Sequence, residues 1–392
     1  MSEYTSRDAS GASVGIVEKK YFTFARKPTE ALVLESGTRL GPVTVAYETY
    51  GELSPNKDNA VLVLHALTGD CHAAGYYSKA DAKPGWWENM VGPGKGIDTD
   101  RYFVICSSIL GSCGGTTGPC STNPATGKPY GLDFPVVTVG DMVEVQKKLM
   151  DHLGIERLLG VVGGSLGGMQ VLEWSLRYPD RVAGVIALAT TLRHSALAIA
   201  FNEISRQAIM ADPNWRDGHY YDGEKPNTGL AVARMIGHVT YLSDAAMRRK
   251  FGRRLQSKGD FSFQFDDIDF QVESYLLHQG TKFVERFDAN SFLYVTKAAD
   301  YFDLEQRGEA NSAVKAFARA RASFLVVSFT SDWLYPTYQS RELVRALKKN
   351  RLDVSFCEIK ADSGHDAFLV PNKRLSRLIA NFLEKVQSEN DS

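Results

Sequence analysis

Six short apolar runs recur along the chain: AVLVLHA (60–66), YFVICSS (102–108), LLGVVGG (158–164), AGVIALA (183–189), SFLVVSF (323–329) and VSFCEI (354–359). Each is apolar on both faces, and no tight hairpin joins one to the next, so they predict buried parallel strands. Between them the hydrophobic period becomes that of a helix. Met142, Val145, Leu149 and Leu153 fall on one face of residues 141–153, and a second helical segment, 166–178, is stopped by Pro179. Strand alternating with helix predicts an α/β protein with a mostly parallel, doubly wound sheet. The extended stretch 32–51 predicts antiparallel strands leading into it.

The alternation lapses from residue 194 to residue 309. Helical patterns such as TGLAVARMIGHVTYLSDAAMRRKF and FQVESYLLHQGTKFVERF follow one another there without a strong strand. The expected organisation is a core of residues 21–193 and 310–392 with a helical lid inserted over it at 194–309. Residues 1–20 are polar and lack a signal peptide's apolar stretch, so a flexible N-terminus is expected. No later run has the length of a membrane span, and a cytoplasmic protein is expected.

Charge narrows the partners. The 45 basic and 46 acidic residues leave a formal net charge of −1, which argues against nucleic acid or an anionic membrane and for a small-molecule substrate. The five cysteines are an odd number, and Cys106, Cys113 and Cys120 lack zinc or redox spacing, so they read as buried thiols with no metal site.

The stretch VVGGSLGGMQ (161–170) crowds four glycines around one serine. Gly163, Ser165 and Gly167 complete G-x-S-x-G after an apolar strand and before a helix, the context of a nucleophile elbow. There the strand turns into the helix so tightly that side chains at the glycine positions would collide, while the serine hydroxyl is thrust into a cleft at a helix N-terminus. A serine needs a base, and histidine suits that work near neutral pH. In α/β hydrolases the order is serine, acid, histidine, each partner following a later strand. Asp332, after the run 323–329, and His365, after the run 354–359, fit that order. His365 would take the proton from Ser165 while Asp332 holds the imidazole's tautomer. The Leu166 and Leu67 N–H groups are the expected oxyanion donors. His65, beside Leu67, reads as structural. Such a triad supports either hydrolysis or acyl transfer.

The motifs HALTGD, GSCGGTTGP, GGSLGGMQVLEW, ARMIGHVTYLS, SFTSDWLYP and DSGHDAFL together resemble the homoserine O-acetyltransferase family from about residue 21 to the C-terminus. The resemblance implies a cytoplasmic α/β hydrolase-fold enzyme of methionine biosynthesis, a homodimer formed through the lid, with no bound cofactor. Its substrates would be acetyl-CoA, as acyl donor, and L-homoserine. It implies that Arg234, a planar fork suited to a carboxylate and at helical spacing with His238 and Tyr241, binds substrate. It assigns Asp366 to the substrate ammonium, a helix N-cap being the other reading of that residue. Tyr241 belongs to the same polar stripe, and Thr68 adds a hydroxyl near the oxyanion loop. Relatives that use succinyl donors carry arginine two positions after the triad aspartate. This chain has Leu334, which suits a methyl group, so acetyl is preferred to succinyl. A succinyltransferase and a serine hydrolase of the same fold are the alternatives.

Overall fold

The computed structural model describes residues 12–256, 259–306 and 312–390. One sheet organises them: β1 (Lys20–Phe24), β2 (Val43–Tyr50), β3 (Ala60–Leu64), β4 (Phe103–Ser107), β5 (Leu158–Gly164), β6 (Val182–Leu188), β7 (Ser323–Phe329) and β8 (Val354–Ile359). Their spatial order is β1-β2-β4-β3-β5-β6-β7-β8. β2 runs antiparallel to β1 and β4, and every other pairing is parallel. The six apolar runs are therefore the six parallel strands β3–β8. The extended region 32–51 divides: β2 joins the sheet, whereas Leu32–Val33 and Arg39–Leu40 pair only with each other. β1 was not predicted, because KYFTF at a sheet edge is only half-buried and lacks the apolar continuity of the centre.

Both faces of the sheet are covered, as the strand composition requires. In β3, Ala60, Leu62 and Leu64 enter one apolar cluster with residues of α1 (Val139–Leu153), α2 (Leu166–Arg177) and α9 (Thr337–Lys349). Val61 and Val63 enter the other, built on Trp87 and on Leu375, Ile379, Phe382 and Leu383 of α10 (Lys373–Asn390). Between β6 and β7 come α3 (Ala196–Met210), α4 (Asn227–Tyr241), α5 (Asp244–Lys250), α6 (Gln271–Val284) and α7 (Ala289–Asp300), followed by the single turn α8 (Ala313–Ala316). α4 packs on α3 and α6, and α3 on α7. The N-terminal arm falls outside the described residues as far as residue 11. From there the chain has fixed partners: the Val17 N–H donates to the Tyr76 carbonyl at 2.8 Å, and Val14 and Val17 pack on the second cluster.

α1 shows how local chemistry sets an element's edge. The Thr138 hydroxyl accepts the Asp141 N–H at 3.1 Å, and the Asp141 carboxylate accepts the Thr138 N–H at 2.9 Å, a reciprocal capping box. Asp141 also accepts the Glu35 N–H at 2.8 Å, tying the small outer ladder to the helix. Gly154 ends the helix in the left-handed region at φ 68°. Thr138→Ala should lower stability by about 1 kcal/mol, read as a lower urea midpoint with an unchanged slope.

Candidate active site

Ser165 stands at the C-terminal end of β5, where the chain reverses into α2. Its φ of 59° and ψ of −122° put a non-glycine residue in a sparsely populated region. The turn needs bare backbone on both sides: a Cβ on Gly163 would come within 2.5 Å of the Gly167 carbonyl, and one on Gly167 within 2.1 Å of the Leu64 carbonyl. The Ser165 N–H donates to Leu188 O at 3.0 Å, and the Thr190 hydroxyl donates to Ser165 O at 3.0 Å, so the end of β6 and the residues after it hold the bend.

Asp332 follows β7, buried in a turn that aims two N–H groups at one of its oxygens. Leu334 N–H and Tyr335 N–H donate to Oδ1 at 3.0 and 2.9 Å, leaving Oδ2 to accept His365 Nδ1–H at 2.8 Å. His365 lies in the one-turn helix Gly364–Phe368 after β8, almost wholly buried. Burial disfavours its cation, but the charge and hydrogen bond of Asp332, with Asp366 adding to them, outweigh this and hold the imidazole above its ordinary pKa. Gly364, at φ 77°, leaves no room for a side chain against the Tyr241 carbonyl and the Ser243 N–H, so this turn seats directly on the junction of α4 and α5.

Tyr335 was not singled out from the sequence. Its ring lies 5.0 Å from that of His365, and its hydroxyl meets the hydroxyl of Ser165. Among the described residues no hydrogen bond joins Ser165 Oγ to His365, whose Nδ1 is held by Asp332. The sequence signal for Tyr335 is weak: it reads as one more apolar residue before Pro336.

Leu67 and Leu166, whose N–H groups make no backbone hydrogen bond among the described residues, line a cavity of about 50 Å³ together with Ser165, Leu334 and Tyr335. Among the described residues no lysine or arginine lines it. The Leu67 segment is braced by a buried amide relay that sequence reading missed: Trp174 Nε1–H donates to Gln146, Gln146 to Gln170, and Gln170 Nε2–H to the Leu166 and His65 carbonyls. His65 is buried, which lowers its pKa, and its Nε2 accepts the Ile109 N–H at 3.2 Å, so it braces the same segment.

Charged groups of both signs lie around Tyr241 and His365. On α4, Arg234 Nη1–H donates to the Thr68 hydroxyl at 3.2 Å, and its guanidinium lies 5.9 Å from the ring centre of Tyr241. Tyr241 is itself 6.0 Å, ring to ring, from His365. Asp366 caps no helix. Its carboxylate takes no hydrogen bond among the described residues, and burial raises its pKa against the pull of His365 and Arg234. His238 turns away toward Tyr275, whose hydroxyl lies 3.0 Å from Nδ1. Burial, then the charges of Arg234 and Lys250, pushes it down to about 3, so it stays neutral. Arg286, just past α6, donates from Nη1 to the Thr68 carbonyl at 3.0 Å.

Residues 59–371 match the family model described as alpha/beta hydrolase fold. The chain is 66% identical over 385 residues to the homoserine O-acetyltransferase of Solidesulfovibrio magneticus, covering 98% of this chain and 97% of that one. It is 62% identical to that of Desulfotalea psychrophila, with 95% of each chain covered. Among solved structures, homoserine O-acetyltransferase from Bacillus anthracis superposes with a TM-score of 0.86 at 30% identity, over 94% of this chain and 98% of that one. Esterase E22 superposes at 0.85 with 31% identity, over 94% of this chain and all of that one.

If His365 is the base for Ser165, phosphonylation of that serine by a fluorophosphonate, with loss of fluoride, should rise with pH through an inflection above the usual imidazole value of about 6.5, because only the neutral ring accepts a proton. Asp332→Asn should move the inflection down and slow labelling by about three to four orders of magnitude. An inflection unmoved by this substitution would separate His365 from Asp332.

Proposed function

The chain belongs to the homoserine O-acetyltransferase family, and from that premise we propose that it moves the acetyl group of acetyl-CoA onto the hydroxyl of L-homoserine through Ser165, His365 and Asp332. The reading rests on one arrangement above all: Arg234, hydrogen-bonded to Thr68, and Asp366, whose carboxylate feels the charges of both His365 and Arg234, offer a cation and an anion near the imidazole to a zwitterion that also carries a hydroxyl.

In the first half-reaction His365 Nε2 takes the Ser165 proton as Oγ attacks the thioester carbon. The Leu67 and Leu166 N–H groups stabilise the oxyanion, and the C–S bond breaks. The CoA thiolate takes the proton from His365 and leaves. In the second half homoserine binds with its carboxylate on Arg234 and its ammonium on Asp366. His365 removes the hydroxyl proton, the oxygen attacks the acetyl-serine carbon, and Ser165 recovers the proton as O-acetyl-L-homoserine departs. Burial of Asp366 favours an ammonium there, since a desolvated carboxylate gains most from a counter-charge.

The donor follows from the acyl side of the cleft. A succinyl group would bring a carboxylate into a cavity of about 50 Å³ lined by Leu334 and lacking lysine and arginine. That burial is costly without a cation, so the acetyl group is favoured. Leu197, Ile204, Val232, Val239 and Leu277, exposed on α3, α4 and α6, are where a second copy would pack in the homodimer formed through these helices. No helix among the described residues is long and apolar enough to cross a membrane; the family membership is what supports a place in methionine biosynthesis, and a cytoplasmic location is proposed with it.

Incubation with acetyl-CoA and homoserine should yield O-acetylhomoserine by mass, with a burst of CoA released before any acceptor is added; free acetate without the ester would make the protein a hydrolase. Ser165→Ala should fold and lose at least about a thousandfold in turnover. Leu334→Arg should raise use of succinyl-CoA relative to acetyl-CoA, and a variant that gained nothing on that donor would remove Leu334 from donor choice.

A further inference from the structure

We infer that Arg286 is a second guanidinium of the acceptor-carboxylate site, reading together with Arg234 the same carboxylate. The inference rests on the acceptor reading of Arg234 given above. The two side chains come from different elements and converge on one residue: Arg234 Nη1–H donates to the Thr68 hydroxyl at 3.2 Å, and Arg286 Nη1–H to the Thr68 carbonyl at 3.0 Å. Both guanidinium groups also pack on the Phe283 ring, at 4.8 and 5.3 Å from its centre. Among the described residues, neither lies within 4.0 Å of a carboxylate. Arg286's proton is bound less tightly than usual, first because of desolvation and then because of Arg234. Two like charges brought this close repel, and an anion between them relieves the repulsion. Each guanidinium has spent one N–H on Thr68, and the remaining donors suit a planar carboxylate.

The convergence is built, and it gives GSCGGTTGP a purpose. Cys113 Sγ lies 3.8 Å from the Arg286 carbonyl and accepts the Asp288 N–H at 3.4 Å, so this loop grips the turn that carries Arg286. At Gly114 a Cβ would stand 2.6 Å from the Ser108 hydroxyl and 3.1 Å from the Asp70 Cβ, so the loop also lies tight against the segment that carries Thr68. The glycine-rich motif is the mould that sets Arg286 beside the oxyanion segment.

Reach selects the carboxylate over the phosphates of CoA. Thr68 directly follows Leu67, the proposed oxyanion donor, and in homoserine only three carbons separate the carboxyl carbon from the reacting hydroxyl. The phosphates of the donor lie beyond the whole pantetheine arm.

The test uses the full chain with Arg286→Gln, Arg286→Lys and Arg234→Lys, two acceptors and two donors. The second acceptor is 2-aminobutane-1,4-diol, which has an alcohol where homoserine has its carboxylate; the second donor is S-acetyl-N-acetylcysteamine, which lacks phosphates. Arg286→Gln should raise the KM for homoserine at least tenfold, leave single-turnover CoA release within twofold, and leave kcat/KM for the diol within twofold. Arg286→Lys should recover part of the loss, because charge without the planar fork binds a carboxylate less well. Equal losses on both acceptors would reduce Arg286 to a support for Thr68 and overturn the inference. So would a raised KM for acetyl-CoA that disappears with the phosphate-free donor. If Arg234→Lys raises the homoserine KM and Arg286→Gln does not, the inference fails and the acceptor reading stands; if neither does, both fail.

Discussion

The carbonyl of Leu64 lies where a side chain on residue 167 would have to go, and the active site depends on that contact. Because Gly167 presents only backbone, α2 can start almost against β3, and the chain leaving β5 must bend through Ser165 at a positive φ. Such a conformation costs about 1–3 kcal/mol. It persists because β5 lies between two fully buried strands and because Leu188 O and the Thr190 hydroxyl fix the bend from the β6 side. The strain is thus carried by the best-packed part of the sheet, and the reacting oxygen is set by rigid strands instead of a loose loop.

The second constraint joins the helical insertion to the two loops that carry Asp332 and His365. The His365 turn abuts the α4–α5 junction at Gly364. Trp333 Nε1–H, next to Asp332, donates to the Leu242 carbonyl at 3.0 Å, and the Ser243 hydroxyl donates to the Asp362 carbonyl. Arg234 and Tyr241 ride on the same α4, so the groups proposed to hold the acceptor and the imidazole proposed to activate it share one rigid seam. A shift of α4 would move both together.

The electrostatics around His365 suit the zwitterion proposed as acceptor. Among the described residues Arg234 and Arg286 meet on Thr68 without a carboxylate partner, while Asp366 is desolvated without a hydrogen bond. Left to themselves these groups are poorly satisfied, and a ligand bearing both charges satisfies them together. That imbalance lowers the folding free energy available to the apo chain and returns it as binding energy.

The hydrophobic pattern alone marked the six parallel strands and the helices between them, because a strand buried on both faces is apolar throughout and local periodicity records it. The glycines around Ser165, and the order in which Asp332 and His365 follow, were legible for the same reason: bend, strand end and motif are each local. What only the tertiary structure decided is the set of contacts between segments far apart in sequence. FVERF reads as the charged end of a helix until the fold lays Arg286 on Thr68, 218 positions away. Tyr335 reads as core until its turn brings the phenol to Ser165. The Trp174, Gln146 and Gln170 relay reads as three unrelated polar or aromatic positions until two helices face each other. Periodicity and propensity describe what a residue does to its own neighbours in the chain. Which distant side chain meets it is settled by how the sheet twists and the insertion folds back, and no local pattern encodes that.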